Sequence, residues 1–240
     1  MLENFIMPNK AGMILTLMRK KIKIALIGFG KMGNEIDTLC RESEIFEVIS
    51  ISFKNKENGL DLEGIKKADI AVDFTSKDAV LKNIEEVAKL GKNLVIGTTG
   101  WYGELETVKK MVNKYKIGLV YGANFSVGAN IFFKMAEFSA KLFSKFPEYD
   151  VYGLEIHHKA KLDSPSGTAL KIASKVNGIN FTSIRAGRNP GFHQVVFDSN
   201  ADGITLSHQA YNRVGFAKGA LVAAEFIKNK KGMYSFEEII

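Results

Sequence analysis

Two histidines, a lysine and the start of a helix fall within one run, His157-His158-Lys159-Ala160-Lys161-Leu162-Asp163-Ser164-Pro165-Ser166-Gly167-Thr168. Imidazoles titrate near neutrality, and a lysine ammonium can hold an anion or release a proton. His157, His158 and Lys161 are therefore candidates for acid/base work. Directly after them Ser164 reads as an N-cap and Pro165 as the first helical residue, which predicts a helix over 165–176. The amides of Ser166, Gly167 and Thr168 would then be unpaired at a positive helix end. Such an end binds carboxylate or phosphate, and Gly167 would admit the ligand close to the backbone. The plainer reading is a surface loop before an ordinary capped helix, because His and Lys are common on loops.

A second constellation lies upstream. The apolar run 23–27 leads into Gly28-Phe29-Gly30-Lys31-Met32-Gly33 and then into a helical pattern at Ile36, Leu39 and Cys40. Strand, glycine turn and helix in that order are the setting in which G-x-G-x-x-G binds a dinucleotide: the first glycine turns, the second admits the pyrophosphate, and the third lets helix pack on strand. The bland alternative is a tight turn without ligand. Further strands are predicted at 48–53, 70–73, 93–96 and 117–121, and helices at 79–90 and 105–114. This alternation predicts a parallel sheet with helices on both faces.

The ends of these strands carry Asp73-Phe74-Thr75, Gly97-Thr98-Thr99-Gly100 and Gly122-Ala123-Asn124-Phe125. Together they would line one crevice, with hydroxyls and amides for a ribose and a carboxamide and Phe125 as an aromatic wall. Where an NAD enzyme places an acid for the ribose 2'-hydroxyl, this chain has Phe53-Lys54-Asn55-Lys56. Lys54 and its neighbour favour a 2'-phosphate, hence NADPH or mixed use with NADH, unless these lysines are merely solvated.

Beyond Phe125 the pattern changes. A long amphipathic helix over 127–143 carries Ile131, Met135, Phe138 and Leu142 on one stripe, which reads as core. Strands follow at 149–156, 181–185, 194–198 and 204–210, with one helix among them, suggesting an open, mostly antiparallel sheet with one covered face. A last apolar helix over 216–228 would return to the first domain. The fold expected is α/β: a Rossmann-like dinucleotide-binding domain of residues 20–125 plus 213–240, and an inserted α+β domain of residues 126–212 for substrate and oligomerisation. Residues 1–19 read as a loose extension.

Composition sets the bounds. A chain of 240 residues, 46% hydrophobic and 25% charged, is an ordinary globular sequence. The single cysteine, Cys40, excludes an internal disulfide and reads as a core thiol, in keeping with a reducing cytoplasm. His157, His158, His193 and His208 show no metal-ligand spacing, so no metal is expected. The net charge of +7 is spread along the chain without a basic block, which argues against nucleic acid and suits anionic small molecules. The apolar patch 13–18 is too short to span a bilayer, and no membrane association is expected.

Taken in order, Gly28-Phe29-Gly30-Lys31-Met32-Gly33, Asp73-Phe74-Thr75, Gly97-Thr98-Thr99-Gly100, Ala123-Asn124-Phe125-Ser126-Val127-Gly128 and the stretch from His157 to Leu170 resemble the dihydrodipicolinate reductase family. The resemblance runs from about residue 21 to the C-terminus. It implies a homotetrameric cytoplasmic enzyme of lysine and diaminopimelate biosynthesis that reduces a cyclic dicarboxylate with NADH or NADPH. It also implies roles: His157 as general acid/base, Lys161 as proton donor, and His158, Gly167 and Thr168 as carboxylate holders. Residues 28–33, 97–99 and 122–125 should meet the cofactor. The segment 176–185 is shorter than in longer family members, and the family's acid and arginine pair after the second strand is replaced by Phe53 and Lys54. Another nicotinamide enzyme of the aspartate dehydrogenase type, or a non-catalytic NAD(P) sensor, would share the glycine loop without needing the His157 stretch.

Overall fold

The computed structural model describes residues 20–53 and 59–240. Strands β1 (Ile22–Ile27), β2 (Phe46–Ser52), β3 (Ile70–Asp73), β4 (Asn93–Ile96) and β5 (Gly118–Tyr121) form a parallel sheet, joined at its far edge by β10 (Gly232–Ser235) in the order β10-β5-β4-β3-β1-β2. Every residue of β3 and β4 is buried, as expected of strands covered on both faces. Helices α1 (Lys31–Arg41), α2 (Leu62–Lys67), α3 (Lys77–Lys89) and α4 (Leu105–Tyr115) connect them, with a 3-10 turn at Tyr102–Glu104. α7 (Val214–Ile227) arrives from beyond the second sheet and places Ala217, Ala220, Ala223 and Ala224 on the core around Ile24 and Val72.

Between β5 and α7 the chain builds α5 (Val127–Phe143), β6 (Asp150–His157), α6 (Gly167–Ala173), β7 (Asn180–Arg185), β8 (Phe192–Asp198) and β9 (Gly203–Gln209). The strand order is β7-β6-β8-β9, with β6 and β7 parallel and the other two pairings antiparallel. α5 and α6 cover one face, where Phe132, Phe133, Ile172, Val195 and Phe197 form a separate core. A short helix, α8 (Phe236–Ile239), closes the chain with a capping box from Ser235 and Glu238.

The structure corrects two expectations. The α5 stripe is not core: Ile131, Met135, Phe138 and Leu142 are exposed, Phe138 by 64%, while Ala129, Phe132, Phe133 and Ala136 face inward. α5 is apolar on two sides, and the sheet takes the side where Phe132 and Phe133 alternate with Ala129 and Ala136. The helix predicted from Pro165 begins instead at Gly167, because Ser166 is its cap and accepts from the Ala169 amide. Cys40 is buried, and burial pushes its thiol up to about 12, as suits a core thiol.

Candidate active site

The cofactor end of the site starts at the turn after β1. Gly28 has φ +88°, and a Cβ on Gly33 would lie 2.4 Å from the Gly28 carbonyl oxygen, so both positions need glycine to keep helix against strand. Gly30 is the N-cap of α1, which has no side-chain cap and no acid in its first turn. Space around Gly30 is open. Unpaired amides at a positive helix end, with the backbone approachable, fit a dinucleotide pyrophosphate. Beside this turn a cleft of about 360 Å³ runs between Gly28, Ser52, Phe53, Thr75, Ser76 and Lys82. Lys54 lies outside the described residues.

The neighbouring loops are held by a buried carboxyl. Oδ1 of Asp73 accepts from the Thr75 amide at 2.9 Å, the Thr75 hydroxyl at 2.7 Å and the Thr98 hydroxyl at 2.9 Å, while Oδ2 accepts from Asn83 at 2.8 Å. Burial raises the Asp73 pKa against those hydrogen bonds. Thr98 therefore spends its hydroxyl on the protein, and its carbonyl accepts from the Trp101 indole at 2.8 Å. Thr99, by contrast, lines the larger cleft. Phe125 is not the open aromatic wall that its position suggests: it is 2% exposed, its ring 4.7 Å from Phe236 and 6.0 Å from Phe74. It anchors the 122–125 loop and leaves Gly122, Ala123 and Asn124 to face the cleft.

At the other end, strand register assembles a polar cluster on the covered face of the second sheet. Glu155 and His193 are direct partners across β6 and β8, His157 is two residues along β6 from Glu155, and Ser183 and Arg185 sit opposite Glu155 and His157 on β7. Side chains alternate along strands, so all five share one face. Glu155 is wholly buried. Its Oε1 accepts from Arg185 at 2.6 Å, Ser183 at 2.6 Å and the Ser166 amide at 3.0 Å. Burial pushes its pKa up, but these hydrogen bonds outweigh burial and hold the group down at about 2. Nε2 of His157 lies 3.3 Å from Nε2 of His193, which in turn is 3.0 Å from the Ser166 hydroxyl. Burial lowers both histidines, His193 to about 4 with help from His157.

The two ends meet in a cleft of about 980 Å³. From the parallel sheet come Thr99, Tyr121, Gly122, Ala123 and Asn124; from the second come His157, Lys161, Ser166, Gly167 and Thr168. Gly167 faces open space. Nζ of Lys161 pairs with Asp163 at 2.6 Å. His158, just past the end of β6, is not among the residues lining this cleft. The Ser166 amide, read from sequence as an anion donor, is committed to Glu155. Sequence reasoning missed Glu155, His193 and Arg185. A signal existed: Glu155 shares strand parity with His157, so a carboxylate was due on the same face.

Known proteins match this chain along nearly all its described length. The model of "Dihydrodipicolinate reductase, N-terminus" matches residues 22–125, and that of "Dihydrodipicolinate reductase, C-terminus" matches residues 128–240. A 4-hydroxy-tetrahydrodipicolinate reductase of Christiangramia forsetii is 34% identical over 91% of this chain and 98% of its own length. One of Methanocaldococcus jannaschii is 34% identical over 90% of this chain and 80% of its own. Among solved structures, a dipicolinate-bound dihydrodipicolinate reductase from Paenisporosarcina sp. TG-14 superposes with a TM-score of 0.79 at 25% identity, covering 92% of this chain and all of that one. A cofactor-binding parallel sheet, a polar cluster on a second sheet and sequence matches to both halves lead to one conclusion: the chain belongs to the dihydrodipicolinate reductase family.

Proposed function

We propose that His157 and Lys161 perform the proton work of this reductase and that Gly167 and Thr168 hold a substrate carboxylate. The chain is an NAD(P)H-dependent oxidoreductase that reduces 4-hydroxy-tetrahydrodipicolinate in lysine and diaminopimelate biosynthesis. The single observation that carries the assignment of roles is the shared cleft. Strand-end residues suited to a nicotinamide and the His157 stretch line the same space. Residues 28–33 would hold the pyrophosphate, and Thr99, Gly122, Ala123 and Asn124 the nicotinamide end. When bound, the cofactor supplies a hydride. Reduction of a conjugated ring must be completed by a proton, and His157 and Lys161 are titratable groups placed in the cleft to give it. The amides of Gly167 and Thr168 at the start of α6 would orient a carboxylate, and Lys161 could exchange Asp163 for a second one. His158, next to His157 at the end of β6, is the further carboxylate holder of this reading. The dipicolinate in the Paenisporosarcina relative supports a planar dicarboxylate as the ligand class.

The family resemblance adds a homotetramer and a cytoplasmic setting to this reading; among the described residues no helix is long and apolar enough to cross a membrane. Substrate-dependent loss of NADPH or NADH absorbance with the dihydrodipicolinate precursor tests the reading. Cofactor binding without turnover of that precursor would favour a sensor, and turnover of an amino acid instead would favour an aspartate-type dehydrogenase.

A further inference from the structure

Glu155, His157 and His193 point at one another. Nε2 of His157 and Nε2 of His193 are 3.3 Å apart, and Oε2 of Glu155 is 3.5 Å from each. Among themselves the three atoms bond poorly, since two ring nitrogens share one proton at most and 3.5 Å is long for a bond to the carboxylate. Ser166 adds its hydroxyl to Nε2 of His193 at 3.0 Å and its amide to Oε2 at 3.2 Å, and an ion would displace the hydroxyl from the histidine. A triangle with those sides has its equidistant point about 2.0 Å from every corner, the distance at which zinc takes imidazole nitrogen and carboxylate oxygen. All three side chains are buried and fixed by strand register.

We infer that Glu155, His157 and His193 form a binding site for one divalent ion of the zinc class. His157 and Ser166 line the cleft, so an ion reaching Nε2 of His157 has an entry path from it. Oε1, the carboxylate oxygen outside the triangle, is bound by Ser183 and Arg185, whereas Nδ1 of His193 is buried with no hydrogen-bond partner among the described residues. Two imidazoles select zinc, cobalt or nickel over magnesium and calcium, which require oxygen. The Arg185 charge shares the carboxylate with the ion, so the ion is exchangeable and not a permanent structural metal. Resting on the reading of His157 as the acid/base group, the ion would occupy its Nε2 lone pair and inhibit reduction.

Equilibrium dialysis of the metal-stripped chain against Zn²⁺ tests the site. The expected result is one ion per chain at micromolar free zinc, no competition from Mg²⁺, and affinity lowered about 100-fold or more by His193→Leu, since even outer-contact losses reach that size. His208→Gln removes the histidine opposite His193 on β9 and should leave binding intact. Failure of the wild-type chain to retain zinc, or undiminished binding in both His193→Leu and Glu155→Gln, overturns the site. Should those variants not fold, as judged by circular dichroism, Co²⁺ on the wild-type chain decides: an intense four- or five-coordinate visible spectrum supports the site, and an aquo-like spectrum overturns it. Because binding is read without turnover, this result stands apart from the reductase assay. Inhibition is then read separately, as activity lost on adding zinc and regained with EDTA.

Discussion

A carboxylate with no solvent contact would be costly alone, and Glu155 is tolerated because Arg185, Ser183 and Ser166 surround it. Its pKa, held near 2 against an ordinary value of 4.5, makes its contribution complete above pH 4.5 and lost as pH falls toward 2. His193, lowered from 6.5 to about 4, acts in a higher window. Its neutral form is favoured in the fold, so stability is full above pH 6.5 and declines as pH drops toward 4. Urea unfolding in EDTA should therefore weaken in two stages on acidification. His193→Leu should shrink the upper stage, to which the buried His157 and His208 also contribute, and leave the lower one, and an unchanged profile in that variant would refute the assignment. Removing Glu155 altogether should cost about 3–5 kcal/mol, since Arg185 is left as an unpaired, largely buried charge. At the same scale, His157→Ala and Lys161→Ala should each lower kcat by about 10²–10⁴-fold while shifting the Kd for NADPH much less, as expected for proton-transfer groups away from the glycine loop. Stopped-flow kinetics with fluorescence titration of the cofactor separates the two effects.

Elements show where local pattern suffices. The β1 turn and α1 were legible because glycine spacing, an apolar strand and an amphipathic helix all agree. β10 and α8 were not legible: four residues each, they exist because the edge of β5 accepts one and the Ser235 cap starts the other. The helix after the His157 stretch was found but begun two residues early, because the Glu155 bond to the Ser166 amide is a tertiary contact that sequence does not display. α7 packs closely enough to carry a sharp prediction. A Cβ on Gly219 would lie 1.7 Å from the Phe125 carbonyl oxygen, so helix and loop would have to part. Gly219→Ala should destabilise by at least about 1–3 kcal/mol in denaturant titration and also weaken cofactor binding through the 122–125 loop. Wild-type stability in that variant would mean the helix can shift freely.

For the whole molecule, the cleft lies between the two sheets, and ion pairs tie its rim: Glu237 in α8 meets Lys171 at 2.8 Å and Lys175 at 2.5 Å. These are partly exposed, so Glu237→Gln should change stability by less than about 1 kcal/mol. Its effect belongs in the cleft, read as a change in KM. The exposed α5 stripe and the uncovered sheet face, with Tyr152 and Ile184 outward, leave apolar surface for the proposed tetramer. Light scattering should report four chains per particle, and a monomeric mass at assay concentration would overturn that expectation.

The sequence by itself determined the periodic strands and helices, the glycine turn and the acid/base run, because each is written in neighbouring residues. Only the tertiary structure decided that the Thr98 hydroxyl and the Phe125 ring are engaged within the protein, that α5 buries the side carrying Phe132 and Phe133, and that His193, 36 residues from His157, faces it beside Glu155. Cross-strand register places side chains that are distant in the chain within bonding distance, and no local spacing records it.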